Sequence, residues 1–341
     1  MLRAAGVICT ALCAAGCGEV HARLSLGPAR PVAVAIDGPP GALYAPLYAA
    51  QANGDFADGV LAVKITPAPG GDALAALDDR TATVAVASEP ELLAARDAGA
   101  PLVAIGALTS EPLDAIVSLT RRRSVNAAGK LAGTTIATDG SPLARAQLAT
   151  VLAAGHVASA RVRVLAVPPS GPVAALTARR HAAAATLDGP WPLEVVALER
   201  SRRPATVLAL PAAGVPPYSG LVLIVRIGEA HYQGPLLRAF LQSLSRGAQA
   251  VAANPAATAA TLARIYPRTP ASVERAVLAQ TAPIAASATA TEPFGFENPN
   301  RWQAFGNWMR VHGLLRAAPN AGLAITNEFL PGQGPQIVTD S

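Results

Sequence analysis

Cysteine is scarce in this 341-residue chain: its three cysteines, Cys9, Cys13 and Cys17, all lie near the start. No disulfide framework and no cysteine metal cluster can therefore be built over the rest of the sequence. The five histidines, His21, His156, His181, His231 and His312, show no metal-ligand spacing. No G-x-S-x-G elbow is present either. Aromatic residues make up 4% of the chain, and Lys64 and Lys130 are the only lysines. The net charge of +5 comes mainly from scattered arginines, with small groups at 121–123 and 200–203. Without a basic stripe interleaved with aromatics, nucleic acid is not an expected partner.

Apolar residues are abundant, at 51%, but most of that is Ala and Val. Such a mix reads as the bias of a GC-rich genome, and Ala-rich helices then look apolar without spanning a membrane. The N-terminus carries more information. Met1-Leu2-Arg3 is a short positive segment, residues 4–16 are small and apolar, and the run ends in Ala-Ala-Gly-Cys at Cys17. Too short for a span, this stretch reads as an export signal over 1–16. It resembles a bacterial lipoprotein signal, with Cys17 lipidated as the first mature residue. Ala14 stands where Leu is commoner, so a plain secretory signal is the alternative. Both expectations put the protein outside the cytoplasm.

After a polar tether over 17–30, strand and helix signals alternate. Apolar β-like runs fall at 31–36, 60–66, 83–87, 101–107 and 114–119. A second series follows at 134–137, 161–167, 183–187 and 206–210, and a strongly β-like run, Leu-Val-Leu-Ile-Val, occupies 221–225. Ser88-Glu89-Pro90 and Ser141-Pro142 each place a capping residue ahead of a helix-opening proline. From Tyr232 onward only helical patterns remain, and Trp302, Phe305, Trp308 and Met309 share one helix face as a core stripe.

This order predicts an α/β protein of two lobes. The first lobe takes 31–119 plus 219–331, the second takes 120–218, and 332–341 is a tail. Crossings near 120 and 217 form a hinge, and the cleft between lobes is the expected ligand site. The stretch 36–54 supplies one wall: a strand ends at Asp37, and a Gly/Pro turn leads into an apolar helix.

The segments YAPLYAAQANGDFAD, SEPELLAARDAGAPLVAIGAL, Gly-Ser-Pro at 140–142, VPPYSGLVLIV, RWQAFGNWMRVHGLL and TNEFLP are familiar in combination. They resemble the solute-binding proteins of bacterial ABC importers, in the branch that binds thiamine pyrimidine precursors, taurine and alkanesulfonates. The resemblance implies the type II periplasmic-binding-protein fold with a C-terminal helical segment. It also implies a monomer that needs no cofactor or metal, captures a small polar solute and delivers it to permease and ATPase subunits, here from a lipid anchor on the membrane.

The candidate ligand contacts are Asp37, Tyr44, Ser88, Glu89, Ser141, Pro142, Asp188, Trp191, Glu194 and Tyr218. The resemblance carries over onto the turn from Asp37 to Tyr44 and onto Ser141, Pro142, Trp191, Glu194 and Tyr218, whereas Asp188 departs from a common family Gly. Trp191 would stack on a planar ring and Glu194 would accept from an amino group, while Gly38 and Tyr44 replace a Trp and a His of the pyrimidine binders. Each has a plainer reading as a cap, turn or packing residue. A fungal branch of the same family is an enzyme that makes the thiamine pyrimidine with lysine, histidine and a cysteine-rich iron site. With Lys64 and Lys130 alone and no cysteine cluster, this chain reads as a binder and not an enzyme. A receptor that senses a solute without transporting it is the remaining alternative.

Overall fold

The computed structural model describes residues 28–168, 171–178, 182–187 and 189–333. Cys17, Asp188 and most of the tail lie outside these residues. Ten strands occur among them: β1 Arg30–Ile36, β2 Leu61–Pro67, β3 Val84–Ala87, β4 Leu102–Thr109, β5 Ala115–Leu119, β6 Thr135–Thr138, β7 Arg163–Ala166, β8 Ala185–Leu187, β9 Ala205–Ala209 and β10 Leu221–Arg226. Each falls within about two residues of a β-like run in the sequence.

The strands form two five-stranded mixed sheets, ordered β2-β1-β3-β10-β4 and β7-β6-β8-β5-β9. The sheets share one plan. In each, three parallel strands are followed by one antiparallel strand, and that strand is the first one made after the chain changes lobe. Burial follows position: β4 and β5 are buried at every residue and β10 at all but its last. The edge strand β2 alternates in part, and its Lys64 lies on the more exposed face.

One boundary differs from the sequence reading. The strand Ala115–Leu119 was expected in the first lobe, but it pairs with β8 and β9 in the second sheet. The first crossing therefore runs through 110–114, several residues ahead of the expected position near 120. The arginines at 121–123, beside the expected crossing near 120, form a short helix beyond β5. Apolar patterning shows that a strand is buried, and it carries no record of which sheet accepts it. The second crossing lies between β9 and β10.

Six helices position the site and brace it: α1 Ala45–Asn53, α2 Glu89–Asp97, α3 Pro142–Ala154, α4 Trp191–Arg200, α5 Gly234–Ala253 and α6 Pro299–Val311. The amphipathic α5 buries Leu237, Phe240, Leu241 and Leu244. Its Gly247 lies against α1, where a Cβ would come within 2.3 Å of the Pro46 carbonyl oxygen. Only glycine permits that approach. No helix among the described residues is long and apolar enough to cross a membrane.

Candidate functional site

A cleft of about 480 Å³ opens between the sheets, lined from both lobes and from both crossings. Its floor begins at Asp37, where β1 stops. The Tyr44 hydroxyl, at the end of a short 3₁₀ turn, donates to Asp37 Oδ1 at 2.5 Å. Gly38 allows this fold-back, since a Cβ there would lie 2.7 Å from that hydroxyl. Burial pushes the Asp37 carboxyl up to about 6; the Tyr44 bond opposes the rise and the charge of Glu91 adds to it.

The N-terminus of α2 forms the next part of the wall. Ser88 Oγ accepts from the Glu91 N–H at 3.4 Å, and Glu91 Oε2 accepts from the Ser88 N–H at 2.8 Å, a complete capping box. From the second lobe, Asp139 follows β6. Its Oδ1 accepts from the Ser141 N–H at 2.8 Å, and Ser141 Oγ caps α3 by accepting from Ala144 N–H at 3.1 Å.

The hinge supplies the back. Asp114 Oδ2, in the first crossing, accepts from the Tyr218 hydroxyl at 2.7 Å and from Gln147 Nε2 at 3.1 Å. Gln147 Nε2 also donates to the Tyr218 hydroxyl at 3.0 Å. These three side chains tie both crossings to α3. Burial raises the Asp114 carboxyl above its ordinary range, against the two hydrogen bonds, and burial followed by the Asp114 charge raises the Tyr218 phenol. Leu187, Gly189, Pro190 and Leu193 close the side at the start of α4.

Of the sequence candidates, Asp37, Tyr44, Ser88, Ser141 and Tyr218 are brought together here. Pro142 is exposed at the first turn of α3, outside the lining. Trp191 packs instead against the second-lobe core of Val117, Leu119, Leu176, Val195 and Leu198, and Leu193 faces the cleft in its place. Glu194 is buried and accepts from Thr186 Oγ1 at 3.0 Å, so it holds β8 to α4 from within the lobe. Glu89 turns away into a separate cavity of about 190 Å³, where its Oε2 accepts from the Ser219 N–H at 2.8 Å. Asp188 lies outside the described residues.

Sequence reasoning missed Glu91, Asp114, Asp139 and Gln147. For Asp139 a signal was present: Asp37-Gly38, Asp139-Gly140 and Asp188-Gly189 each follow a strand-like run. Asp114 and Gln147 had no local signal, because they meet only through the crossing of the two lobes.

Over residues 42–258 the chain matches the model of the family described as NMT1/THI5 like. No curated protein sequence matches it. Among solved structures, the alkanesulfonate-binding protein SsuA from Xanthomonas axonopodis pv. citri, bound to MOPS, is similar at a TM-score of 0.64 and 19% identity, covering 88% of this chain and 99% of that one. The periplasmic aliphatic sulphonate binding protein SsuA from Escherichia coli is similar at 0.67 and 15% identity, covering 87% and 92%. The ligand-binding component of an ABC-type import system from Staphylococcus aureus, with zinc bound, is similar at 0.63 and 12% identity, covering 89% and 99%. At such identities these likenesses establish the two-lobe periplasmic-binding-protein fold.

Proposed function

The chain belongs to the NMT1/THI5-like family, and on that basis we propose that it is an extracytoplasmic solute receptor of an ABC importer. It captures one small polar organic molecule between its lobes and presents the closed form to permease and ATPase subunits. The observation that carries this reading is the cleft itself. Its lining comes from strand ends and helix starts of both lobes and from both crossings, so the contacts that hold a ligand are also the contacts that favour lobe closure. Asp37, Tyr44, Ser88, Ser141 and Tyr218, joined by Asp114 and Gln147, are the residues assigned to ligand contact. Lipid attachment at Cys17 supplies the membrane anchor.

A thermal-shift screen of small metabolites tests the reading. A ligand at about 100 times its dissociation constant stabilises the folded state by about 2.7 kcal/mol, enough for a clear rise in melting temperature. No rise with any member of a broad library would overturn the receptor assignment.

A further inference from the structure

The charge of the cleft narrows what fills it, taking the receptor reading above as its premise. Four carboxylates line it, from three separate parts of the structure: Asp37 and Glu91 from the first lobe, Asp114 from the crossing and Asp139 from the second lobe. Among the described lining residues there is no lysine, arginine or histidine. Asp37 and Asp114 are recessed, whereas Glu91 and Asp139 stand exposed at the mouth.

An anion could still be held by the helix N-termini that point at such a cleft. Here the capping donors of α2 and α3 already have partners. Glu91 Oε2 takes the Ser88 N–H, Ser88 Oγ takes the Glu91 N–H, Asp139 Oδ1 takes the Ser141 N–H, and Ser141 Oγ takes the Ala144 N–H. At both helices the chain's own carboxylate occupies the place of an anionic ligand. Both tyrosine hydroxyls are committed as well, Tyr44 to Asp37 and Tyr218 to Asp114. Arg145 on α3 donates to the Gly140 carbonyl at 2.5 Å and is not part of the lining. What the cleft offers is therefore acceptor oxygen with negative charge, set among the apolar walls of Leu43, Leu113, Leu143 and Leu193.

We propose that the ligand is an organic cation, carrying an ammonium, amidinium or guanidinium group on a hydrocarbon or ring body and lacking a sulfonate or phosphate. The cation lies between Asp37 and Asp114, where it neutralises carboxylates that burial disfavours. Glu91 and Asp139 at the mouth draw it in. The fold shared with sulfonate-binding proteins does not carry their ligand chemistry into this cleft.

Two probe sets with the purified protein decide the matter: putrescine, agmatine and choline against ethanesulfonate, MOPS and taurine, each read by thermal shift and calorimetry at matched ionic strength. Stabilisation by a cationic probe, with affinity reduced about tenfold or more in Asp114→Asn, supports the proposal. Asp139→Asn and Glu91→Gln retain the cap acceptors and remove only charge, so they should slow association while leaving the melting temperature of the free protein near wild type. Stabilisation by ethanesulfonate or MOPS alone would overturn the cation assignment and leave the receptor reading standing. Silence from both sets, with retention of a neutral compound from a metabolite extract, would also overturn the charge assignment alone. Silence from both sets and from the extract would overturn the two together.

Discussion

Glu89 and Glu297 show how a buried carboxyl at the hinge turns into a stability term. Both face the cavity of about 190 Å³ behind the crossings, and Ser219 lies between them. Its N–H donates to Glu89 and its Oγ donates to Glu297 Oε2 at 2.8 Å, which also accepts from Trp302 Nε1 at 2.8 Å. The other oxygen of each carboxyl has no hydrogen-bond partner among the described residues. Burial raises Glu297 from 4.5 to about 7 and raises Glu89 as well. A folded-state value above the unfolded one means that the native protein holds its proton more tightly. The corresponding stability is present below about pH 4.5 and is lost as pH rises through about 7. For Glu297 the full swing is on the order of 3 kcal/mol. Glu297→Gln keeps an acceptor for Trp302 and removes the ionisation, so its melting temperature should fall less than that of wild type between pH 5 and pH 8. The remaining fall belongs to the other carboxyls that burial raises, among them Glu89, Asp37 and Asp114. Parallel pH profiles for the two proteins would refute this account.

At the scale of elements, α6 reaches across the hinge. Phe305 stacks on Tyr218 with centroids 4.3 Å apart, Trp308 stacks on Phe305 at 5.3 Å, and Trp308 Nε1 donates to Thr150 Oγ1 on α3 at 3.0 Å. This helix thus touches the hinge tyrosine and a second-lobe helix together. Trp308→Phe keeps the stack and removes the donor. Its cost in chemical denaturation should be about 1 kcal/mol, and Trp308→Ala should cost roughly 3 kcal/mol. Wild-type stability in both variants would show that α6 does not brace the second lobe. The sequence marked Trp302, Phe305, Trp308 and Met309 as a packing stripe, and Trp302, Phe305 and Met309 are indeed buried. That this stripe also spans the hinge depends on where α3 lies, which helical periodicity does not encode.

For the whole molecule, the two sheets exchange strands: β5 is made after the first crossing and β10 after the second, each as the lone antiparallel member between its neighbours' partners. The two chain crossings, joined by the Asp114–Tyr218–Gln147 bonds, are the connection about which the proposed closure of the lobes would turn. Anchoring belongs to this scale too. If Cys17 carries lipid, Cys17→Ser should move the protein from the membrane fraction to the soluble fraction. Unchanged membrane retention would refute the anchor.

The sequence by itself determined the ten strands, the order of the two α/β series and the helical close, because alternation of apolar runs with capped helices is a local pattern. It also placed Asp37 at a strand end, Ser88 and Ser141 at helix caps and Tyr218 in the second connection, and all four line the cleft. The tertiary structure alone decided that β5 belongs to the second sheet, that Trp191 faces a core while Leu193 faces the cleft, and that four carboxylates converge there. Convergence joins residues as far apart as Asp37 and Asp139, and no periodicity within one element records which distant charge will face it across a cleft.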